Sequence, residues 1–144
     1  QMKTVSEYLK ANRLKRASMS SDMIRKELDA GRSDLAEAVA GLSRQAYKWT
    51  TIQAYYAIFH GMRALLFAAE LREESHLALR VAIHELYVTT GKLSEESYRA
   101  LERGMELREM ADYKAIFSQE TASWLVERAT TCLDEIEKLL PSDK

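Results

Sequence analysis

The residues best suited to phosphate chemistry lie in one short stretch, in which Arg108 is followed four positions later by Asp112 and then by Tyr113. A guanidinium binds phosphate oxygens through paired hydrogen bonds, so Arg108 is a candidate phosphate ligand. On a continuous helix, Asp112 lies one turn from Arg108 and can pair with it. A salt bridge at a helix end is therefore the alternative interpretation, since such pairs are common on protein surfaces.

A second set of polar residues lies within an apolar segment. Tyr56, His60 and Arg63 are separated by four and three positions, which places them on one face of a helix. A histidine on a core helix is commonly bonded to a neighbour, but an imidazole beside a tyrosine and an arginine could also carry protons in a polar cleft. His76 stands at the start of the next predicted helix, where the helix dipole disfavours its protonation. We expect its neutral imidazole to cap or contact a neighbouring helix.

The elements that must position these residues are predicted to be helices. The 144 residues include one proline and five glycines, and apolar stripes at helical spacing fit a single all-α domain. Serines ahead of these stripes predict the helix starts. The first long helix is predicted to begin in the serine-rich cluster 18–21 and to run past residue 42. The other predicted helices span 47–71, 75–90, 94–111 and 118–140. Short connections favour an up-and-down antiparallel bundle of four to five helices.

Three further expectations concern how this bundle is built. The bundle domain is predicted to cover residues 19–140, after an N-terminal extension of residues 1–18 that forms a short or frayed helix. Gly31 is expected to kink or interrupt the first long helix. The aromatic residues of the second long helix predict core or dimer packing rather than base stacking. They are Trp49, Tyr55, Tyr56 and Phe59.

Charge and cysteine content narrow the possible partners. The net charge of -1 and the pI of about 6.4 provide no global basic field for a nucleic-acid backbone, so any RNA contact must depend on a local patch. One cysteine forms no intramolecular disulfide, and no spacing of cysteine and histidine matches a zinc site, so we expect no metal and no cofactor. Without a signal peptide or an apolar run long enough to span a membrane, the expected location is the cytoplasm.

Three short motifs together resemble the HEPN superfamily of small helical domains, and in particular its stand-alone prokaryotic UPF0332-like branch. The motifs are Gln53-Ala54-Tyr55-Tyr56-Ala57-Ile58-Phe59-His60, then Ser75-His76, then Glu106-Leu107-Arg108 through Ala111-Asp112-Tyr113. The resemblance implies a helical bundle that forms a homodimer, with polar residues of both subunits lining a cleft. It also implies metal-independent ribonuclease activity, because many members are ribonuclease toxins that are encoded beside a nucleotidyltransferase antitoxin.

The family's active motif is an arginine, four to six further residues, and a histidine. Here four residues separate Arg108 from Tyr113, so a tyrosine stands where the histidine is expected, and a phenol with a pKa near 10 is a poor proton carrier at neutral pH. The resemblance implies that Arg108 faces the phosphate. In an active protein, His60 is then the best substitute proton carrier because it shares a helix face with Tyr56 and Arg63, and Asp112 with Tyr113 would orient the site. Tyr113 is also a candidate acceptor for a partner nucleotidyltransferase. Three residues would line the binding cleft: Tyr56, Arg63 and His76.

Two functions of different classes follow. The first is an RNA- or nucleotide-binding component of a toxin-antitoxin or defence system, with or without ribonuclease activity from the degenerate motif. The second is a catalytically inactive helical module for dimerisation or protein interaction, in which the tyrosine-rich helix buries an interface. The nearly neutral composition favours the second function, whereas the motifs favour the first.

Overall fold

The structure, a computed structural model, describes residues 3–141, so residues 1 and 2 of the predicted N-terminal extension lie outside the described part. Its main elements are long helices. The helices are α1 (Val5–Lys10), α2 (Ser21–Ser43), α3 (Tyr47–Ala68), α4 (His76–Ile83), α5 (Glu95–Lys114) and α6 (Gln119–Leu139), and the strands are β1 (Leu14–Arg16) and β2 (Leu71–Glu73). The predicted all-α bundle is confirmed.

Helix α3 is the centre of the bundle, and α2, α5 and α6 all pack against it. Its small and apolar residues are buried on most of its circumference, with Ala54, Ile58 and Leu65 fully inaccessible to solvent. A helix that is apolar on most sides must be enclosed by its neighbours. Helix α3 is therefore the core helix of the bundle.

Four serines begin four of the helices as the sequence predicts. Ser20, Ser75, Ser94 and Ser118 each lie in extended backbone, and each side-chain oxygen accepts a hydrogen bond from the backbone N–H three residues later. These bonds satisfy donors that have no partner within the helix. The cap at Ser75 fixes the position of His76 as the first residue of α4.

The four long helices alternate in direction. The end of α6 meets the start of α2, where Ile24 and Leu140 line the same small pocket. Glu135 of α6 accepts hydrogen bonds from Ser94 at the start of α5, so α5 and α6 are antiparallel. The α5–α6 turn, residues 115–118, therefore lies at the same end of the bundle as the start of α3.

A short two-stranded ladder is the main feature that the sequence did not predict. Strand β1 pairs antiparallel with β2, with Leu14 opposite Glu73. The N-terminal segment does contain the expected short helix, α1, but Tyr8 and Leu14 anchor the segment in the core. Helix α3 accordingly ends at Ala68 rather than near residue 71, and β2 leads directly into the cap of α4.

The prediction that Gly31 interrupts the first long helix is wrong, because α2 continues through it. Gly31 is buried, and a Cβ atom there would lie 2.9 Å from the carbonyl oxygen of Ala57 on α3. The glycine allows the close approach of the two helices. The third predicted helix has α geometry only to Ile83 and continues as a π-helical turn, His84–Val88.

The sequence predicts core or dimer packing for the aromatic residues of α3, and Trp49 is one that does not lie in the core. Its side chain is 55% exposed, whereas Tyr55 and Phe59 are buried. Helical spacing alone does not say which turn of a helix lies beyond the end of its neighbours. Helix α5 also runs to Lys114, past the predicted end at residue 111, so Asp112 belongs to the helix. Of the helices within residues 3–141, none is long and apolar enough to cross a membrane.

Candidate functional site

Arg108 lies on α5 and contacts α3. Its guanidinium carbon lies 5.4 Å from the centre of the Tyr56 ring and 5.1 Å from that of the Tyr113 ring. One guanidinium nitrogen is 3.5 Å from Asp112 Oδ2, the i, i+4 pair that the spacing predicts. The side chain is only 16% exposed, and its buried Nε has no hydrogen-bond partner within the described residues. Most donors of this guanidinium are therefore left for another ligand.

His76 faces α3, where Tyr55 and Phe59 hold its ring. Its Nδ1 lies 3.0 Å from the hydroxyl oxygen of Tyr55, at hydrogen-bonding distance. The Phe59 ring stacks on the imidazole, with centres 4.9 Å apart and planes 22° apart. Burial raises the pKa of the Tyr55 hydroxyl above its ordinary value, so this group stays protonated at neutral pH. The contact fixes the imidazole in one orientation.

The electrostatic surroundings of His76 keep it neutral. Partial burial lowers the pKa of the imidazole, the carboxylates of Glu73 and Glu109 act in the opposite direction, and the positive charges of Arg108 and Arg63 lower it further. The net direction is downward from the ordinary histidine value. Both arginines of the candidate site thus act on this imidazole, although they come from different helices.

Arg63 is held by Glu73 of β2. Its Nε donates to Glu73 Oε2 at 2.9 Å, and a terminal nitrogen donates to the same oxygen. The Glu73 side chain is only 5% exposed, and its other oxygen has no hydrogen-bond partner within the described residues. The Arg63 guanidinium also lies over the Phe59 ring at 4.7 Å. Much of its charge is compensated, so Arg63 shapes the cleft more than it attracts anions.

His60 faces α2 and is engaged by two carboxylates there. Its Nδ1 lies 2.8 Å from Glu27 Oε1, and its Nε2 lies 3.7 Å from Asp34 Oδ2. Glu27 is also 3.8 Å from a terminal nitrogen of Arg63. The shared face predicted for Tyr56, His60 and Arg63 therefore faces two different neighbours, and only its Tyr56 end contacts Arg108.

The structure brings the candidate residues together as two linked groups. Around Arg108 lie Tyr56, Asp112 and Tyr113, and its charge also acts on His76, which is held by Tyr55. Arg63 and His60 form the second group with acidic partners on α2 and β2. Sequence reasoning treated Tyr55 as a packing residue and did not single out Glu27 or Glu73. A buried tyrosine hydroxyl needs a partner, and that requirement was the signal available for Tyr55.

A shallow surface pocket of about 290 Å³ opens beside His76. Its walls come from α3, β2 and the start of α4: Phe59, Arg63, Glu73, Glu74, Ser75 and His76. Over residues 3–141 the histidine, cysteine and carboxylate side chains do not converge into a group of three that could hold a metal ion. The chemistry that the arrangement offers is a cation at Arg108 and a neutral imidazole at His76.

Comparison with known proteins agrees with this architecture. The chain is 34% identical over 88 residues to "UPF0332 protein" of Thermotoga maritima, covering 60% of this chain and 67% of the relative. It is 29% identical over 122 residues to "Putative toxin MJ0605" of Methanocaldococcus jannaschii, covering 81% of this chain and 91% of the relative. The sequence profile of the HEPN domain matches residues 24–142, and this chain therefore belongs to the HEPN domain family.

Proposed function

We propose that this HEPN protein is the toxin component of a toxin-antitoxin system and that it cleaves RNA without a metal ion, with Arg108 as its phosphate contact. The observation that supports this most directly is the state of Arg108. The guanidinium is oriented by two tyrosine rings but is only weakly engaged by Asp112, at 3.5 Å. A cation that is oriented in advance and keeps free donors can stabilise the charge that develops on a phosphate during cleavage.

The toxin part of the proposal is supported by the relatives. A second protein of Methanocaldococcus jannaschii, "Putative toxin MJ0142", is 24% identical to this chain over 98 residues, so two matching proteins of that organism carry the word toxin in their names. The antitoxin that we propose as the partner is a nucleotidyltransferase, which follows from the HEPN resemblance. Tyr113 is 70% exposed next to Arg108, so its hydroxyl would be reachable by such an enzyme while the subunit is monomeric.

We further propose that the protein is a homodimer. Large apolar side chains are exposed together at the end of the bundle that carries the α5–α6 turn and the start of α3. They are Trp49, Tyr113, Ile116, Phe117 and Trp124. Exposed apolar groups that cluster in this way commonly mark an interaction surface. The cluster includes Tyr113, so a second copy seated on it would enclose the cleft around Arg108.

The same cluster supports a second candidate function, a catalytically silent interaction module. In that case the apolar end would bind a partner, and the polar residues of the cleft would act only as salt bridges. The two functions differ in what Arg108 does. A silent module keeps its function without this side chain, whereas a ribonuclease loses its phosphate contact.

The test is RNA cleavage with EDTA present. Wild type, Arg108→Ala and Arg103→Ala are incubated with a mixed RNA pool, and the cleaved ends are sequenced. Arg103 is the matched control because it lies on the same helix in an exposed pair with Glu106. We expect cleavage by wild type and Arg103→Ala, and a loss of about 100-fold or more in Arg108→Ala. Absence of cleavage by wild type, or full cleavage by Arg108→Ala of unchanged helicity, would contradict the proposal.

A further inference from the structure

We infer that His76, held in orientation by Tyr55 and Phe59, is the catalytic residue that carries the proton during RNA cleavage, in place of the histidine that the Arg108 motif lacks. This inference rests on the proposed ribonuclease function and names the second half of its site. The two halves come from different parts of the chain, because the arginine lies on α5 and the imidazole on α4. Contacts through α3 connect them.

Other candidates for the proton carrier are less suitable. His60 has one ring nitrogen hydrogen-bonded to Glu27 at 2.8 Å, and the carboxylate of Asp34 lies 3.7 Å from the other nitrogen, where it would repel the phosphate of a substrate. Tyr113 is 70% exposed, its ring lies against the Arg108 guanidinium, and among the described residues no base is hydrogen-bonded to its hydroxyl. Among these groups, His76 has one nitrogen bonded and the other available.

The contacts of His76 determine which nitrogen reacts. The hydroxyl of Tyr55 occupies Nδ1, and Tyr55 itself is buried, so this partner cannot move away. The Phe59 ring covers one face of the imidazole. Nε2 is therefore the nitrogen left for a substrate, and the residue as a whole is exposed to solvent. The inferred role requires the tautomer in which Nδ1–H donates to the hydroxyl oxygen of Tyr55, because Nε2 then carries no proton and can accept one. A base held by a fixed hydrogen bond on its other nitrogen is the arrangement that general base catalysis by histidine uses.

Partial burial and two arginines keep the imidazole of His76 in the basic form, against the effect of two carboxylates. Arg63 lies on α3, Glu73 on β2, and Arg108 and Glu109 on α5, and partial burial together with the two arginines outweighs the two carboxylates. The pKa of the imidazole is therefore lowered from its ordinary value. At neutral pH the ring is uncharged and can accept a proton, which is the state that a general base needs.

The step that we assign is an internal transesterification of RNA. The 2′-hydroxyl loses its proton to Nε2 of His76 as its oxygen forms a bond to the adjacent phosphorus. The bond from phosphorus to the 5′ oxygen breaks, and the imidazolium returns the proton to that oxygen through water. The products are a 2′,3′-cyclic phosphate and a 5′-hydroxyl, so no co-reactant is consumed. Arg108 compensates the charge on the phosphate oxygens.

The experiment separates cleavage from binding. Cleavage rates of one RNA oligonucleotide are measured from pH 5 to 9 for wild type, His76→Gln and Tyr55→Phe, and affinity is measured with a 2′-deoxy analogue that cannot react. We expect His76→Gln to lower the rate about 100- to 10,000-fold. Affinity for the analogue should change less than about threefold, which is within the range for loss of one weak contact. The wild-type rate should rise with pH to a plateau with a midpoint below that of an ordinary histidine, and this dependence should vanish in His76→Gln.

Two control variants test whether any effect is specific to this pair of residues. Tyr87→Phe removes another partly buried hydroxyl, which donates to the carbonyl oxygen of Leu65. His84→Gln removes another half-buried histidine, which packs edge-on against Tyr98. Both should cleave RNA at the wild-type rate. Tyr55→Phe frees the imidazole to rotate and should lower the rate roughly 10- to 100-fold.

The outcomes distinguish this inference from the proposed function. If wild type cleaves RNA and His76→Gln cleaves it equally well, the role of His76 is rejected and the role of Arg108 stands. If His60→Gln loses cleavage and His76→Gln retains it, the proton carrier is His60 and the inference about His76 is likewise rejected. If wild type does not cleave RNA at any pH, the inference and the proposed function are both rejected.

Discussion

Arg108 and Tyr56 join helices α5 and α3 directly, because the guanidinium carbon lies 5.4 Å from the centre of the tyrosine ring. A cation over an aromatic face is attracted by the electron density of the ring, and the contact restricts the side chain to few rotamers. Asp112 makes the second contact, at 3.5 Å, from one turn further along the same helix. The ring therefore determines where the guanidinium points, while the carboxylate competes with any anion for its charge.

The first prediction follows from that competition. Asp112→Asn removes the negative charge beside Arg108 and keeps the size of the side chain. If Arg108 binds phosphate, the affinity for a non-cleavable RNA should rise about two- to fivefold, which corresponds to the strength of a partly exposed ion pair. Fluorescence anisotropy measures the affinity. Glu106→Gln is the control, because Glu106 pairs with Arg103 on the same helix and should leave RNA affinity unchanged. Weaker binding by Asp112→Asn would favour the structural salt bridge.

The helix starts could be predicted because their signals are local. Ser20, Ser75, Ser94 and Ser118 each need only the backbone N–H three residues ahead, so the sequence contains the whole interaction. Strand β1 carries no such signal. It contains three residues and pairs with residues near position 72, and a ladder that short shows no alternation from which a strand could be read.

The proximity of His76 to Arg108 could not be predicted for a related reason. The two residues are far apart in the sequence, and the helices that carry them make few contacts with each other. What brings them together is α3, whose Tyr55 bonds to His76 and whose Tyr56 contacts Arg108. Adjacent residues of one helix point in different directions, so the link depends on where α4 and α5 dock on α3. Docking is determined by packing, which sequence spacing does not contain.

The second prediction concerns the pH dependence of stability at the start of α5. Burial raises the pKa of Glu135, but hydrogen bonds from Ser97 and Ser94 outweigh it and hold the pKa below its ordinary value. A carboxyl group with a lowered pKa stabilises the folded state above its unfolded pKa, and this contribution is lost as the pH falls through the folded value. Glu135→Gln should therefore lower the free energy of unfolding by about 1 kcal/mol at pH 7.

Urea denaturation at several pH values provides the measurement for Glu135. The difference in free energy of unfolding between wild type and Glu135→Gln should shrink below about pH 4. The wild-type carboxyl is then becoming protonated and so is uncharged, like the glutamine amide. Glu127→Gln is the matched control, since Glu127 is an exposed residue of the same helix whose backbone carbonyl, rather than its carboxylate, accepts the hydrogen bond from Thr131. A difference that stays constant from pH 7 to pH 3 would show that the charge of Glu135 is not responsible.

The third prediction tests the close approach of α2 and α3. A Cβ atom at Gly31 would lie 2.9 Å from the carbonyl oxygen of Ala57, and a backbone oxygen within a central helix cannot move away cheaply. Gly31→Ala should lower the free energy of unfolding by about 1–3 kcal/mol, although alanine favours helices over glycine. Ser33→Ala, at an exposed position of the same helix, should leave stability unchanged or slightly raised. Equal or greater stability of Gly31→Ala would show that the helices can separate at low cost.

The fourth prediction concerns the apolar end of the bundle. If a second copy covers Trp49, Ile116 and Phe117, then Phe117→Asp places a charge in that interface and should weaken dimerisation about 30-fold or more. Met23→Asp is the control, because Met23 is equally exposed but lies near the start of α2, at the opposite end. Sedimentation velocity over a range of concentrations measures the monomer-dimer equilibrium of all three proteins.

The result for Phe117→Asp also bears on catalysis. If the dimer encloses the cleft, as the position of Tyr113 at the apolar end suggests, the monomeric variant should lose RNA cleavage while its circular dichroism spectrum stays that of the wild type. A monomeric variant that retains full cleavage would show that one subunit carries a complete site. A wild type that sediments as a monomer at every concentration would instead reject the dimer, and the apolar end would then be the surface for a different partner.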